Sequence, residues 1–189
     1  MSHLRYGFLA TGMSELIAHC VKGQDVWDLG AGSDLAHTKN MLKLGARSVT
    51  AVEKAELYDD TVIPRGATLI RSYSNSVQLP ETGIDVAFLA FPQNTNLPGL
   101  VSILEQSRII IYLGSNTDAT ACGNMNLYLH FLQRDVLATI PNRRNSLIVY
   151  GARSDIHAKP RRPLPEEWAG LHPDEMFSFE EAVAAVLRR

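Results

Sequence analysis

Residues 25–53 limit the possible folds more than any other stretch of the chain. Val26, Trp27 and Leu29 suit a buried strand, and Asp28 interrupts the apolar run near its end. Gly30 and Gly32 follow as a tight turn. The segment 34–44 then carries Leu35, Thr38, Met41, Leu42 and Leu44 at helical spacing. A second strand over 48–53 ends in Glu53, 21 residues after Gly32. Glycines in such a turn let the backbone approach a ligand without Cβ interference. The helix start that follows offers unpaired N–H groups, and Asp34 is placed to cap it. A carboxylate at the tip of the second strand can accept two hydrogen bonds from a ribose diol. The stretch reads as half of a nucleoside-binding βαβ unit.

The 189 residues are consistent with one domain around a single core. An apolar fraction of 46% and a charged fraction of 20% are ordinary for a globular chain. The net charge of −2 gives no global basic bias that would announce nucleic acid, and leaves room for a local patch. Cys20 and Cys122 are too few and too far apart for a disulfide framework or zinc cluster, which points to a reduced, cytoplasmic setting. The six histidines show no metal-site spacing, so no metal is expected. Apolar runs are only strand-length, and no secretory signal pattern opens the chain, so no membrane association is expected.

Along the chain, a helix is expected from Met13, with Leu16, Ile17, Cys20 and Val21 on one face, ended by Gly23. Before it, Tyr6 and Phe8 either cover the edge of the core or belong to a lid. Lys54 to Asp60 reads as a short helix or turn, and a third strand spans 67–73. The crossover 74–83 is polar and lacks a helical period. Residues 84–91 are apolar, as a central parallel strand should be, and end in Pro92, Gln93 and Asn94. A helix over 97–107, a strand over 108–113, a polar loop over 114–123 and a helix over 124–134 follow. Residues 136–140 and 147–150, joined by a turn at 141–145, read as a β-hairpin. Residues 153–165 are rich in Arg, Lys and Pro and read as a connector. A short helix over 178–187 closes the chain. His37, one turn into the helix after the glycines, is expected on that helix's surface.

A dinucleotide fingerprint needs a third glycine where this chain has Leu35. The Asp-x-Gly-x-Gly pattern with an acidic end to strand two instead resembles the class I S-adenosylmethionine methyltransferases. The terminal hairpin strengthens the resemblance, which covers roughly residues 13–152. A nicotinamide-dependent oxidoreductase is disfavoured by the same two features, Leu35 and the hairpin. The resemblance implies an α/β, Rossmann-like, doubly wound sheet of seven strands, mostly parallel, closed by the antiparallel hairpin. It implies one such domain over residues 1–152, including an N-terminal helix and lid. Residues 153–189 would form the basic connector and short helix on or beside it.

The same resemblance implies S-adenosylmethionine as cofactor, held by Asp28, Gly30, Ala31, Gly32, Glu53, Lys54 and Tyr73. The family tends to have a third glycine at Asp34 and an acidic residue after strand three, where this chain has Ser72, Tyr73, Ser74 and Asn75. In amino-directed members the fourth strand ends in an amide- or acid-led proline motif. Here Pro92, Gln93 and Asn94 are the candidate catalytic residues. The implied activity is methyl transfer, with a nitrogen on a protein or nucleic acid as the preferred acceptor and a small molecule as the alternative. A non-catalytic module on the same fold, working with a protein partner, is the competing expectation.

Overall fold

The structure is a computed structural model and describes residues 12–78, 80–92, 103–115, 134, 136–141 and 145–151. Seven strands form one sheet: β1 (Asp25–Leu29), β2 (Ser48–Val52), β3 (Ala67–Ile70), β4 (Ile84–Ala90), β5 (Ser107–Ser115), β6 (Val136–Pro141) and β7 (Asn145–Tyr150). Their order is β3-β2-β1-β4-β5-β7-β6. The first five run parallel, and β7 lies antiparallel between β5 and β6. This is the expected doubly wound sheet with its closing hairpin. A bulge between Val136 and Ala138 bends β6, and Leu137 there is exposed.

Strand periodicity divides the core in two. Val26, Val49, Val86 and Phe88 face helices α1 (Met13–Val21) and α2 (Ala36–Lys43), against Ile17 and Met41. Leu29, Val52, Ala87 and Leu89 face the other way and pack with Ile103 and Leu104, in the helical turn at residues 103–105. The crossover from β1 to β2 and the segment entering β5 therefore lie on opposite faces. Strand order reverses between β1 and β4, and the carboxyl ends of those strands border a crevice. At the other end of the strands, exposed Arg47 pairs with Asp25 and Asp85, and Arg108 with Asp85. Exposed pairs of this kind contribute little stability.

Two elements are shorter than the sequence predicts. Helix α2 begins at Ala36, because Leu35 before it takes a left-handed conformation with φ 53°. Strand β3 stops at Ile70, where the Ile70 carbonyl accepts the Glu53 N–H at 3.1 Å. Residues 71–73 are thereby released from the ladder, and Ser74–Ser76 forms a single 3₁₀ turn. Residues 54–60 form no helix, only a turn at 59–60. Strand β5 is longer than the expected 108–113: it takes in Ser107 from the predicted helix and Gly114 and Ser115 from the predicted loop. The expected lid residues Tyr6 and Phe8, Gln93 and Asn94, residues 97–102 of the predicted helix, the rest of the loop at 116–123, residues 124–133 of the next helix and the segments 153–165 and 178–187 lie outside the described residues.

Phe88, with no exposed surface, sits at the centre of β4 against α2. Phe88→Ala is expected to destabilise the protein by about 3–5 kcal/mol, the usual cost of emptying so large a core site. Urea unfolding would show this as a lower midpoint at unchanged slope.

Candidate functional site

The turn after β1 is built from backbone hydrogen bonds. Gly30 and Ala31 both donate to the Val52 carbonyl, at 2.9 and 3.1 Å. Gly32 donates its N–H to Glu53 Oε2 at 2.7 Å, and Ala55 donates to the other carboxylate oxygen at 2.7 Å. Gly30 and Gly32 have φ of 84° and 77°, so a side chain at either is strained. A Cβ at Gly30 would meet nothing within 4 Å, which leaves open space in front of that backbone. Each oxygen of Glu53 holds one N–H and keeps a second acceptor direction, enough for two hydroxyls.

These groups border a cleft of about 550 Å³, within the usual range for small-molecule sites. It runs along the carboxyl ends of four strands: Ala90, Phe91 and Pro92 at β4, Leu29 and Gly30 at β1, Val52 to Ala55 at β2, and Ser72 to Ser74 beyond β3. Of the predicted cofactor residues, Gly30, Glu53, Lys54 and Tyr73 line it, as does the candidate catalytic Pro92. Lys54 donates to the Tyr73 hydroxyl, and its ammonium lies 4.3 Å from the ring centroid.

Asp28, Ala31 and Gly32 are not among the lining residues. Asp28 shares a strand face with Val26, so its side chain turns toward α2 and is fully buried. Its Oδ2 accepts from Thr38 Oγ1 at 2.6 Å, while Oδ1 has no hydrogen-bond partner among the described residues. Asp28 thus supports the turn from behind and does not face the cleft. Burial raises its pKa to about 7, with Glu53 and Asp34 adding repulsion against the stabilising Thr38 contacts. Ala31 is 2% exposed and packs with Leu35 and Ala51. The N-cap of α2 is Leu35, not Asp34 as expected; Asp34, one residue further out, accepts the Ala36 N–H at 3.0 Å.

Two features were missed from sequence. His37 is buried, not on the helix surface as expected, and its ring lies 5.1 Å from that of Phe88. Burial lowers its pKa to about 4, against a smaller opposing pull from Asp34. Met41 stands four residues on, on the same helix face, so the i, i+4 spacing from that core residue is the signal that could have found it. Phe91, lining the cleft before Pro92, has φ of 49°. A bulky left-handed residue costs on the order of 1–3 kcal/mol, and a following proline does not favour it. The Phe91 N–H donates to the Leu113 carbonyl at 2.8 Å, which holds the joint. Among the described residues, no group of three or more His, Cys, Asp or Glu could hold a metal ion, and no helix is long and apolar enough to cross a membrane.

No protein-family model matches the sequence, and no curated protein matches it. Solved structures do. A candidate RNA methyltransferase from Pyrococcus horikoshii is 15% identical, with a TM-score of 0.57 over 77% of this chain and 81% of that one. A candidate S-adenosylmethionine-dependent methyltransferase from Listeria monocytogenes is 10% identical, with a TM-score of 0.58 over 75% and 96%. The fold is that of the class I methyltransferases. A candidate tRNA methyltransferase from Streptococcus pneumoniae shares it at 12% identity, with a TM-score of 0.52 over 79% and 74%. The strand order and terminal hairpin that this fold requires are those found in the sheet described above.

Asp28 and His37 titrate with opposite effect. Folded Asp28 keeps its proton up to about pH 7, whereas an unfolded aspartate loses it near about 3.9. Across that window Asp28 lowers stability as pH rises. Folded His37 is neutral above about pH 4, whereas an unfolded histidine binds a proton up to about 6.5, so His37 raises stability with pH. The two slopes offset each other. Relative to the parent, Asp28→Asn is expected to gain stability from pH about 4 to about 7, and His37→Gln to lose it from about 4 to about 6.5. Urea midpoints at several pH values check both signs.

Proposed function

We propose that this protein is an S-adenosylmethionine-dependent methyltransferase acting on a nitrogen of a nucleic acid. One observation carries the reading. The Glu53 carboxylate, tied to the Gly32 N–H, stands beside open space at Gly30 in a cleft at the strand-order reversal. The donor set fits the cofactor. Glu53 would hold the ribose diol, and the backbone at Gly30 would border the methionine part. Asp28, Ala31 and Gly32 would act behind them, by keeping the turn in shape. Lys54 and Tyr73 would take the base. When bound, S-adenosylmethionine supplies an electrophilic methyl group.

The chain's own task is then to orient the acceptor and exclude water. Phe91 and Pro92, at the tip of β4, are the described groups placed to do so. A nitrogen acceptor that arrives neutral needs no dedicated base. Gln93 and Asn94 remain the candidate acceptor-orienting side chains. The preference for nucleic acid rests on fold neighbours described as RNA and tRNA methyltransferase candidates. A second reading, a binding module that works with a protein partner, is favoured by the neutral residues 72–74 and by the absence of an acid or amide at residues 90–92.

Calorimetric titration is expected to show saturable S-adenosylmethionine binding and none of NAD. Glu53→Ala should weaken that binding by about 10–100-fold, the loss of hydrogen bonds to a charged group. Labelled methyl groups should pass to an RNA pool. Binding without transfer to RNA, protein or small molecules would favour the module, and unchanged affinity in Glu53→Ala would remove the ribose assignment.

A further inference from the structure

We infer that Asp28, from behind the glycine turn, makes the cleft prefer the sulfonium cofactor to its sulfide product by charge, without touching either. This deepens the cofactor reading above and rests on it.

Asp28 has no exposed surface. Thr38 Oγ1 donates to its Oδ2, and Oδ1 has no partner among the described residues. None of the ion pairs among the described residues reaches it. A buried carboxyl with a single neutral donor stands close to balance between its two protonation states, because burial opposes the charge and little compensates it. Two residues further along the chain, about 7 Å in an extended strand, the Gly30 backbone faces open space in the cleft. A cation bound in front of that backbone acts on Asp28 through protein, where salt screens weakly.

The charged groups around Asp28 leave that balance open. From α2 come His37, which is neutral above about pH 4, and Lys39, whose ammonium is held on the Asp34 carbonyl. Asp34, before α2, and Glu53, after β2, both repel an ionised Asp28. Its neighbours on β2 and β4 are Ala51 and Phe88, which carry no charge. Helix α1 turns Met13, Ile17, Cys20 and Val21 to the core, and burial pushes the Cys20 thiol up. The result is a carboxyl with a pKa of about 7 and no cation of its own.

In methyl transfer the bonding electron pair stays on sulfur. The positive charge leaves with the methyl group for the acceptor nitrogen, which then sheds a proton to water. The product is an uncharged sulfide. Ionised Asp28 therefore attracts the cofactor and has no such hold on the product. Linkage is reciprocal, so the bound cofactor draws the Asp28 pKa down and the product leaves it in place. A unit charge roughly 10 Å from a carboxylate shifts its ionisation by about tenfold at an effective dielectric constant of about 20. Above neutral pH the cleft favours fresh cofactor, and below it the product competes better.

The test is calorimetry with S-adenosylmethionine and S-adenosylhomocysteine on the parent and on Asp28→Asn, which removes the charge and keeps the shape. In the parent, the ratio of the two affinities is expected to rise in favour of S-adenosylmethionine by about fivefold between about pH 5.5 and about 7.5. In Asp28→Asn it should stay flat. Near pH 6.5 the parent should release about half a proton per S-adenosylmethionine bound, read from the heats in buffers of different ionisation enthalpy. If Asp28→Asn does not fold, Thr38→Val serves instead: loss of the hydroxyl donor raises the Asp28 pKa and moves the rise to higher pH. A flat ratio in the parent would overturn the inference, as would the same rise in Asp28→Asn or an unmoved one in Thr38→Val. Failure of both compounds to bind the parent at any of these pH values would instead overturn the cofactor reading, and this inference with it.

Discussion

The hydrogen bond from the Gly32 N–H to Glu53 joins two groups that sequence alone places 21 residues apart. It requires β1 and β2 to run parallel with Leu29 opposite Val52, so that both strands end at the same level. It requires α2 to cross on one face and return, which Val26, Val49 and Met41 enforce by burying a common side. It also requires the chain after Leu29 to turn through two residues of positive φ, which only glycine adopts without strain. The cleft is therefore a product of strand register, and a slip of one residue would turn every core side chain to the wrong face.

Negative charge accumulates around this turn. Asp28 lies behind it, Asp34 beyond it and Glu53 in front, and their mutual repulsion helps raise the pKa of Asp28. The turn can carry that load because the charges are held differently. Glu53 rests on two backbone N–H groups. Asp34 accepts the first N–H of α2, from Ala36, and its own carbonyl accepts from Lys39 Nζ at 2.8 Å. Asp28 is the group left to carry a proton near neutrality, which makes it the softest point of the β1–α2 junction.

Much of this was legible in the residues. The glycine turn, the carboxylate at Glu53, the apolar run of β4 and the late hairpin all follow from short-range patterns, and together they specify the sheet. Helix α1 showed its buried face in the same way, although Met13 is buried more completely than Leu16. What stayed hidden depends on long-range or single-residue conformations. Leu35 at φ 53° shortens α2, and nothing in a leucine announces a left-handed backbone. The role of Asp28 could have been read from strand alternation, since it shares a face with Val26. The pairing of Lys54 with Tyr73 depends on β3 ending early at Ile70, a tertiary event with no local signal.

The position of β1 between β2 and β4 also has a bearing on how the chain is made. Its partner on one side, β2, emerges from the ribosome soon after it, but its partner on the other side, β4, begins about 60 residues later, with Val26 paired to Val86. At synthesis rates of about 5–20 residues per second, that interval lasts roughly 3–12 s. Throughout it, a strand that will be paired on both sides presents a bare edge, able to pair with any extended segment nearby. The half of the protein that carries the glycine turn and Glu53 is therefore also the half most exposed to mispairing before the rest of the sheet arrives.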